Sequence, residues 1–225
     1  MKNWTFACAT AVACLSGVAS AEYDLAWDGM IAHEAIHYSL DTSVSWDAEA
    51  RERNRFAFAG LLGFNGGDYK LFCIELQQTV THDAVTYEVG PFDSSNVDLD
   101  NRTRVLSTLF TNYYDTVVAT PSSSMAAAFA MVTWEIMTEQ FSGGAQDILS
   151  QISLDLGAVQ FGDYSIEAGA IANEMIYNLG VAADSSNLVR YSNPAYQDFV
   201  GQVPAPGAVA LLGIAGLVSR GRRRG

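Results

Sequence analysis

The chain has few cysteines. Three occur in 225 residues, and Cys8 and Cys14 lie in an apolar N-terminal stretch. If that stretch is removed on export, Cys73 stands alone and no intramolecular disulfide can form. Histidine is equally scarce: His33, His37 and His82 are all there are. The side chain most used for acid–base work near neutral pH is therefore in short supply. No nucleophile–base pairing, phosphate loop or paired-carboxylate pattern stands out, which argues against an enzyme. Long internal repeats and low-complexity tracts are missing too.

Basic residues are also few where they would matter. Both ends of the chain lack acids, so all 25 Asp and Glu residues fall between positions 22 and 200. Seven basic residues accompany them: Arg51, Arg53, Arg55, Lys70, Arg102, Arg104 and Arg190. The interior thus carries a net charge of −18, against −13 for the whole chain. Such a surface repels nucleic acid. It suits an exported domain, with divalent cations as one conceivable ligand. Roughly 180 residues are enough for one well-filled core.

The two ends are apolar and read as addresses. Residues 1–21 form an expected signal peptide, with Lys2 as the positive start and an apolar run through Val18. Ala19, Ser20 and Ala21 then supply a small-residue cleavage site before Glu22. A lipoprotein signal is disfavoured, because Ala11-Val12-Ala13 before Cys14 is a poor match. At the other end Val203, Pro204, Ala205, Pro206 and Gly207 break any regular structure. An uncharged run then reaches Val218, followed by Arg220, Arg222, Arg223 and Arg224. From Pro204 to Ser219 there are 16 residues, short of the roughly 20 that span a bilayer comfortably. Snorkelling arginines or a thin bilayer would close the gap, and the arginines would stay cytoplasmic. A C-terminal core helix is opposed by the prolines, the arginine cluster and the lack of a polar face.

This tail resembles the PEP-CTERM sorting signal of bacterial proteins handled by exosortases. All three parts are present in order, and Ala205 stands where the name-giving motif has Glu. The resemblance implies an exported protein held at the inner membrane by its C-terminal segment. An exosortase-like enzyme would process it, and it would then reach the cell surface or extracellular matrix. Exopolysaccharide is the further partner it implies, and nucleic acid is not one.

Between the ends the pattern suggests a single α+β domain over residues 22–200. Short β-rich runs occupy 35–40, 55–61, 69–76 and 84–89, separated by punctuation such as Asn65-Gly66-Gly67-Asp68. Helical spacing follows in Val105, Leu106, Leu109, Phe110, Tyr113 and Val117. Ser122 to Ser124 can cap a helix reaching about Glu139. A strand over 156–161 and a helix over 165–179 complete the reading. Strands first and helices later predict an antiparallel β-rich part followed by a helical part.

Three segments could carry chemistry. His33-Glu34-Ala35-Ile36-His37 matches H-E-x-x-H, which on a helix would hold zinc and leave the Glu to activate water. The following residues favour a strand, where the two imidazoles would lie about 13 Å apart and could not share one ion. A zinc-dependent hydrolase is therefore the alternative function, not the preferred one. The stretch from Asp93 to Asn101 is rich in oxygen ligands that could hold Ca²⁺, but it lacks the EF-hand glycine and closing Glu. Neither metal nor cofactor is assigned.

The third segment is Phe72-Cys73-Ile74-Glu75-Leu76. With the later run from Ala126 to Ile136, it resembles the thioester-domain fold of bacterial surface adhesins. That family has an aromatic-Cys-x-Asp/Glu strand and a later Gln-x-Ala-x-Trp helix, whose Cys and Gln join as a thioester. Cys73 and Trp134 fit, but the Gln position is Ala130. The resemblance implies the fold with its reactive group lost; a covalent adhesin using another Gln is the remaining alternative. The residues themselves read most simply as a small buried Cys73. The expectation is an exported structural or adhesive protein, not a catalyst.

Overall fold

The computed structural model describes residues 21–41, 53–76 and 78–202. Residues 1–20 of the expected signal peptide and the whole expected sorting signal, 203–225, lie outside them. Ala21, the expected cleavage residue, opens the first strand.

The strongest β pattern makes the longest strands. β2 (Trp27–Leu40) buries Ala32, Ile36, Tyr38 and Leu40 on one face and turns His33, Ala35, His37 and Ser39 to the other. It pairs antiparallel with β3 (Arg53–Phe64), and register shifts near Gly29 and Ile31 bend the pair. At Gly60 the two strands approach so closely that a Cβ would collide with the Ala32 carbonyl oxygen, so only glycine fits. The Asn65–Asp68 turn leads into β4 (Tyr69–Cys73). Asn65 stitches this turn to the first strand: its Oδ1 accepts from Ala26 N and its Nδ2 donates to the Asp24 carbonyl.

The remaining strands are β1 (Ala21–Leu25), β5 (Val85–Gly90), β6 (Val159–Gly162), β7 (Leu188–Ser192) and β8 (Phe199–Gln202). Together they form one eight-stranded sheet in the order β1-β5-β7-β8-β4-β3-β2-β6, antiparallel throughout.

Helix α1 (Val97–Leu109) starts at an Asn96 cap and runs through a π-helical turn, Phe110–Tyr114, into α2 (Asp115–Ala119). Helix α3 (Ser123–Thr138) is capped by Ser122 and is buried at every residue from Ala126 to Thr138. A helix with so few polar residues belongs inside, and α3 packs on β2, β3 and β4 and against α1 and α5. Phe72 meets Phe129 with ring centroids 4.4 Å apart, at the centre of an aromatic cluster that includes Phe110 and Tyr114. A short α4 (Ala145–Ile148) precedes α5 (Ile166–Tyr177), which Ser165 caps. Among the described residues no helix is long and apolar enough to cross a membrane.

The α+β class holds, but its simple order does not. Strands β7 and β8 follow the helices and enter the middle of the sheet. The expected 156–161 strand also shifts. Gly157 adopts φ +100°, so the chain is still turning there and pairing with β2 begins at Val159.

Candidate ligand-binding cleft

The departure of β4 from β3 opens a cleft. Their ladder covers only Leu62–Phe64 against Tyr69–Leu71. Phe72 and Cys73 pair instead with Val200 and Phe199 of β8, while β3 continues alongside β2. Between the diverging elements lies a cavity of about 300 Å³. Arg55 to Phe58 of β3, Cys73, Glu75, Gln78 and Gln197 line it, Trp134 reaches it from α3, and Trp27 closes another side.

A local network holds the wall after Cys73 in place. Ile74 N donates to the Asp198 carbonyl at 3.1 Å, and Asp198 N donates to Glu75 Oε2 at 3.3 Å. Gln197 Nε2 donates to the Glu75 carbonyl at 2.5 Å, and the Tyr38 hydroxyl donates to the Leu76 carbonyl at 3.0 Å. Asp198 is itself held by Arg190, through Nε at 3.0 Å and Nη2 at 2.5 Å.

The expected thioester-like positions partly converge. Cys73 and Trp134 line the same cavity. Ala130 lies one helical turn before Trp134 and is 1% exposed; its methyl group offers no acyl carbon. Sequence reasoning missed Gln197, a carboxamide that β8 pairing brings to this cleft from more than 120 residues away. No local pattern marks it. Its amide is engaged with Glu75, and burial, reinforced by the Glu75 charge, pushes the Cys73 thiol far up. A thiol held protonated is a poor nucleophile and a good small apolar side chain.

The H-E-x-x-H segment lies wholly within β2, so its ends are on a strand. His33 and His37 project from one face and meet Phe58 and Phe56 edge-on, with centroids 5.0 and 5.3 Å apart. Glu34 turns to the opposite face. There it accepts from Ser165 N at 3.0 Å and from the Ser165 hydroxyl at 2.8 Å. Burial raises its pKa, but these bonds and one from Ser124 prevail and lower it. Glu34 is thus an anchor for the start of α5, on the wrong side of the strand to serve a metal held by the histidines. Among the described residues no three His, Cys, Asp or Glu side chains are grouped to hold a metal ion.

The Asp93–Asn101 stretch is likewise occupied with its own backbone. Asp93 Oδ1 accepts from Ser95 N, Asn96 Oδ1 caps α1 through Leu99 N, and Asp98 and Asp100 lie in the first helical turn. There they favour the positive end of the helix dipole.

Sequence reasoning also missed a second buried polar group, on α3 beyond Trp134. Glu139 accepts from Ala158 N and Val159 N, both at 2.7 Å. Glu135 Oε1 accepts from Ser153 N at 2.9 Å, and burial pushes its carboxyl up to about 9. Arg102 Nη1 donates to the Ile136 carbonyl at 2.9 Å. The two carboxyl groups tie the 153–159 segment to the helix, and Arg102 ties α1 to it.

Comparison of the chain with protein-family models, curated proteins and solved structures gave no match.

Proposed function

We propose that this is an exported, sorted protein of the bacterial surface or extracellular matrix, with a structural or adhesive role. The observation that carries the reading is the tail. Its Pro-x-Pro break, apolar run and arginine cluster begin at Val203, directly after β8 ends at Gln202. A folded acidic domain joined without a spacer to such a segment has the layout of a passenger and its sorting signal. The expected partners are an exosortase-like enzyme and exopolysaccharide. Two features support a non-catalytic role. Glu34 and the two β2 histidines lie on opposite faces, and Cys73 is buried with its thiol protonated.

Deletion of residues 203–225 tests the reading. It is expected to abolish retention at the cell surface, and mass spectrometry of the C-terminal peptide is expected to show processing near Pro204. Unchanged localisation after the deletion would overturn it. Thiol titration addresses the covalent alternative: the purified protein starting at Glu22 should have the mass its sequence gives, with no loss, and one thiol that reacts only on unfolding. A mass lower by one ammonia, with no titratable thiol, would instead mean a Cys–Gln thioester.

A further inference from the structure

We propose that the cleft beside Cys73 binds one neutral pyranose unit of a polysaccharide. The proposal deepens the matrix reading by naming a ligand, yet ring binding stands or falls independently of the tail. The first observation is a set of stranded polar atoms. Trp27 Nε1, Trp134 Nε1 and Gln78 Oε1 are buried with no hydrogen-bond partner, and all three residues line this cleft. Trp134 is only 3% exposed. Burying such atoms unpaired is costly, so their convergence on one cavity points to a ligand that pairs them. Two donors and one acceptor call for oxygens that both accept and donate, which is what hydroxyl groups do.

The walls supply the second observation. Trp27, Tyr38 and Trp134 give the cavity aromatic sides, and the exposed Phe56 and Phe58 stand at its margin. A pyranose offers an apolar face of C–H groups to such rings while its hydroxyls project from the edge toward the indole N–H groups. Charge supplies the third. Arg55 and Glu75 are the charged lining residues and have opposite signs, so no net charge is selected, and the indole N–H donors would repel a cation. At about 300 Å³ the cavity is at the small end of ligand sites, which suits one ring rather than several.

The test uses the purified full chain with ¹⁵N-labelled tryptophan. Methyl glycosides of glucose, galactose and mannose, and N-acetylglucosamine, are titrated while the indole N–H resonances are followed. At least one sugar is expected to shift the Trp27 and Trp134 signals saturably, with a dissociation constant on the order of 1 mM. Trp134→Phe, which keeps an aromatic ring but removes the donor, is expected to weaken binding about tenfold or more. Gln78→Ala, a change in a half-buried loop side chain, should weaken binding severalfold and leave the melting temperature unchanged. Silence of both resonances toward all four sugars overturns the proposal, as does undiminished binding by Gln78→Ala. Saturable shifts with an extended alanine tripeptide but with no sugar would also overturn it, marking the cleft as a strand-docking edge.

Discussion

Helix α3 meets two buried polar regions and treats them in opposite ways. Toward and just past its C-terminal end, Glu139 accepts from two backbone amides and Glu135 from one through Oε1, its Oε2 staying unpaired in closed packing. Trp134, the neighbour of Glu135 in sequence, instead leaves its indole N–H unpaired beside a cavity. The bonds made by the two carboxyl groups fix a loop, since breaking them strands the backbone amides. Unsatisfied groups beside open volume do little for the fold and leave room for something else. The first region is architecture, and the second is a place for a ligand.

Glu139→Ala should break this contrast most severely. It leaves Ala158 N and Val159 N without an acceptor and should cost about 3 kcal/mol, lowering the melting temperature by roughly 6–12 °C. Calorimetry checks it, and a shift under about 2 °C would remove Glu139 from the architecture.

The pH dependence of Glu135 comes next. Its folded pKa of about 9 lies above the ordinary 4.5. Between those values the unfolded chain releases a proton that the folded protein keeps. The contribution is therefore fully present below pH 4.5 and is lost as pH rises toward 9. Glu135→Gln mimics the neutral form. It should flatten this decline and raise stability near pH 8 by a few kcal/mol, with little change near pH 4. Denaturant melts across that range decide the matter, and an unaltered slope would sink the assignment.

Thr133→Val is a gentler probe of an unsatisfied group. The Thr133 hydroxyl is buried without a partner, so its replacement by a methyl of similar shape should be neutral or stabilising by up to about 1 kcal/mol. The smallest effect belongs to the β2 histidines. Joint replacement of His33 and His37 by Ala should change stability by less than about 1 kcal/mol and leave zinc uptake, measured by titration calorimetry, the same as wild type.

Much of the scaffold was legible because its signals are local. The Ser122 and Ser165 caps, the turn at Asn65 and the alternation in β2 each depend on a few neighbouring residues. What escaped is non-local. Strands β7 and β8 have five and four residues and acquire their role from partners far along the chain. The cleft has the same origin: Trp27, Cys73, Trp134 and Gln197 meet only once β4 has left β3 for β8. Cys73 and Trp134 were singled out in advance, but Gln78 and Gln197 have no sequence pattern around them. The split of Glu34 from the histidines follows from strand geometry, and it was the strand assignment, not the motif, that carried the information.

The placement of β7 and β8 also sets a timetable. Without them, β1 and β5 share no ladder with β4, β3, β2 and β6. The two keystone strands are the last to be synthesised, ending at Gln202. Each half of the sheet must therefore wait, with one edge open, until nearly the whole domain has emerged. Contacts of such long sequence separation fold slowly, and open edges invite pairing with other chains. If the chain is exported from its N-terminus as proposed, late closure would keep it extended during passage and make the moment of completion coincide with arrival of the final strand.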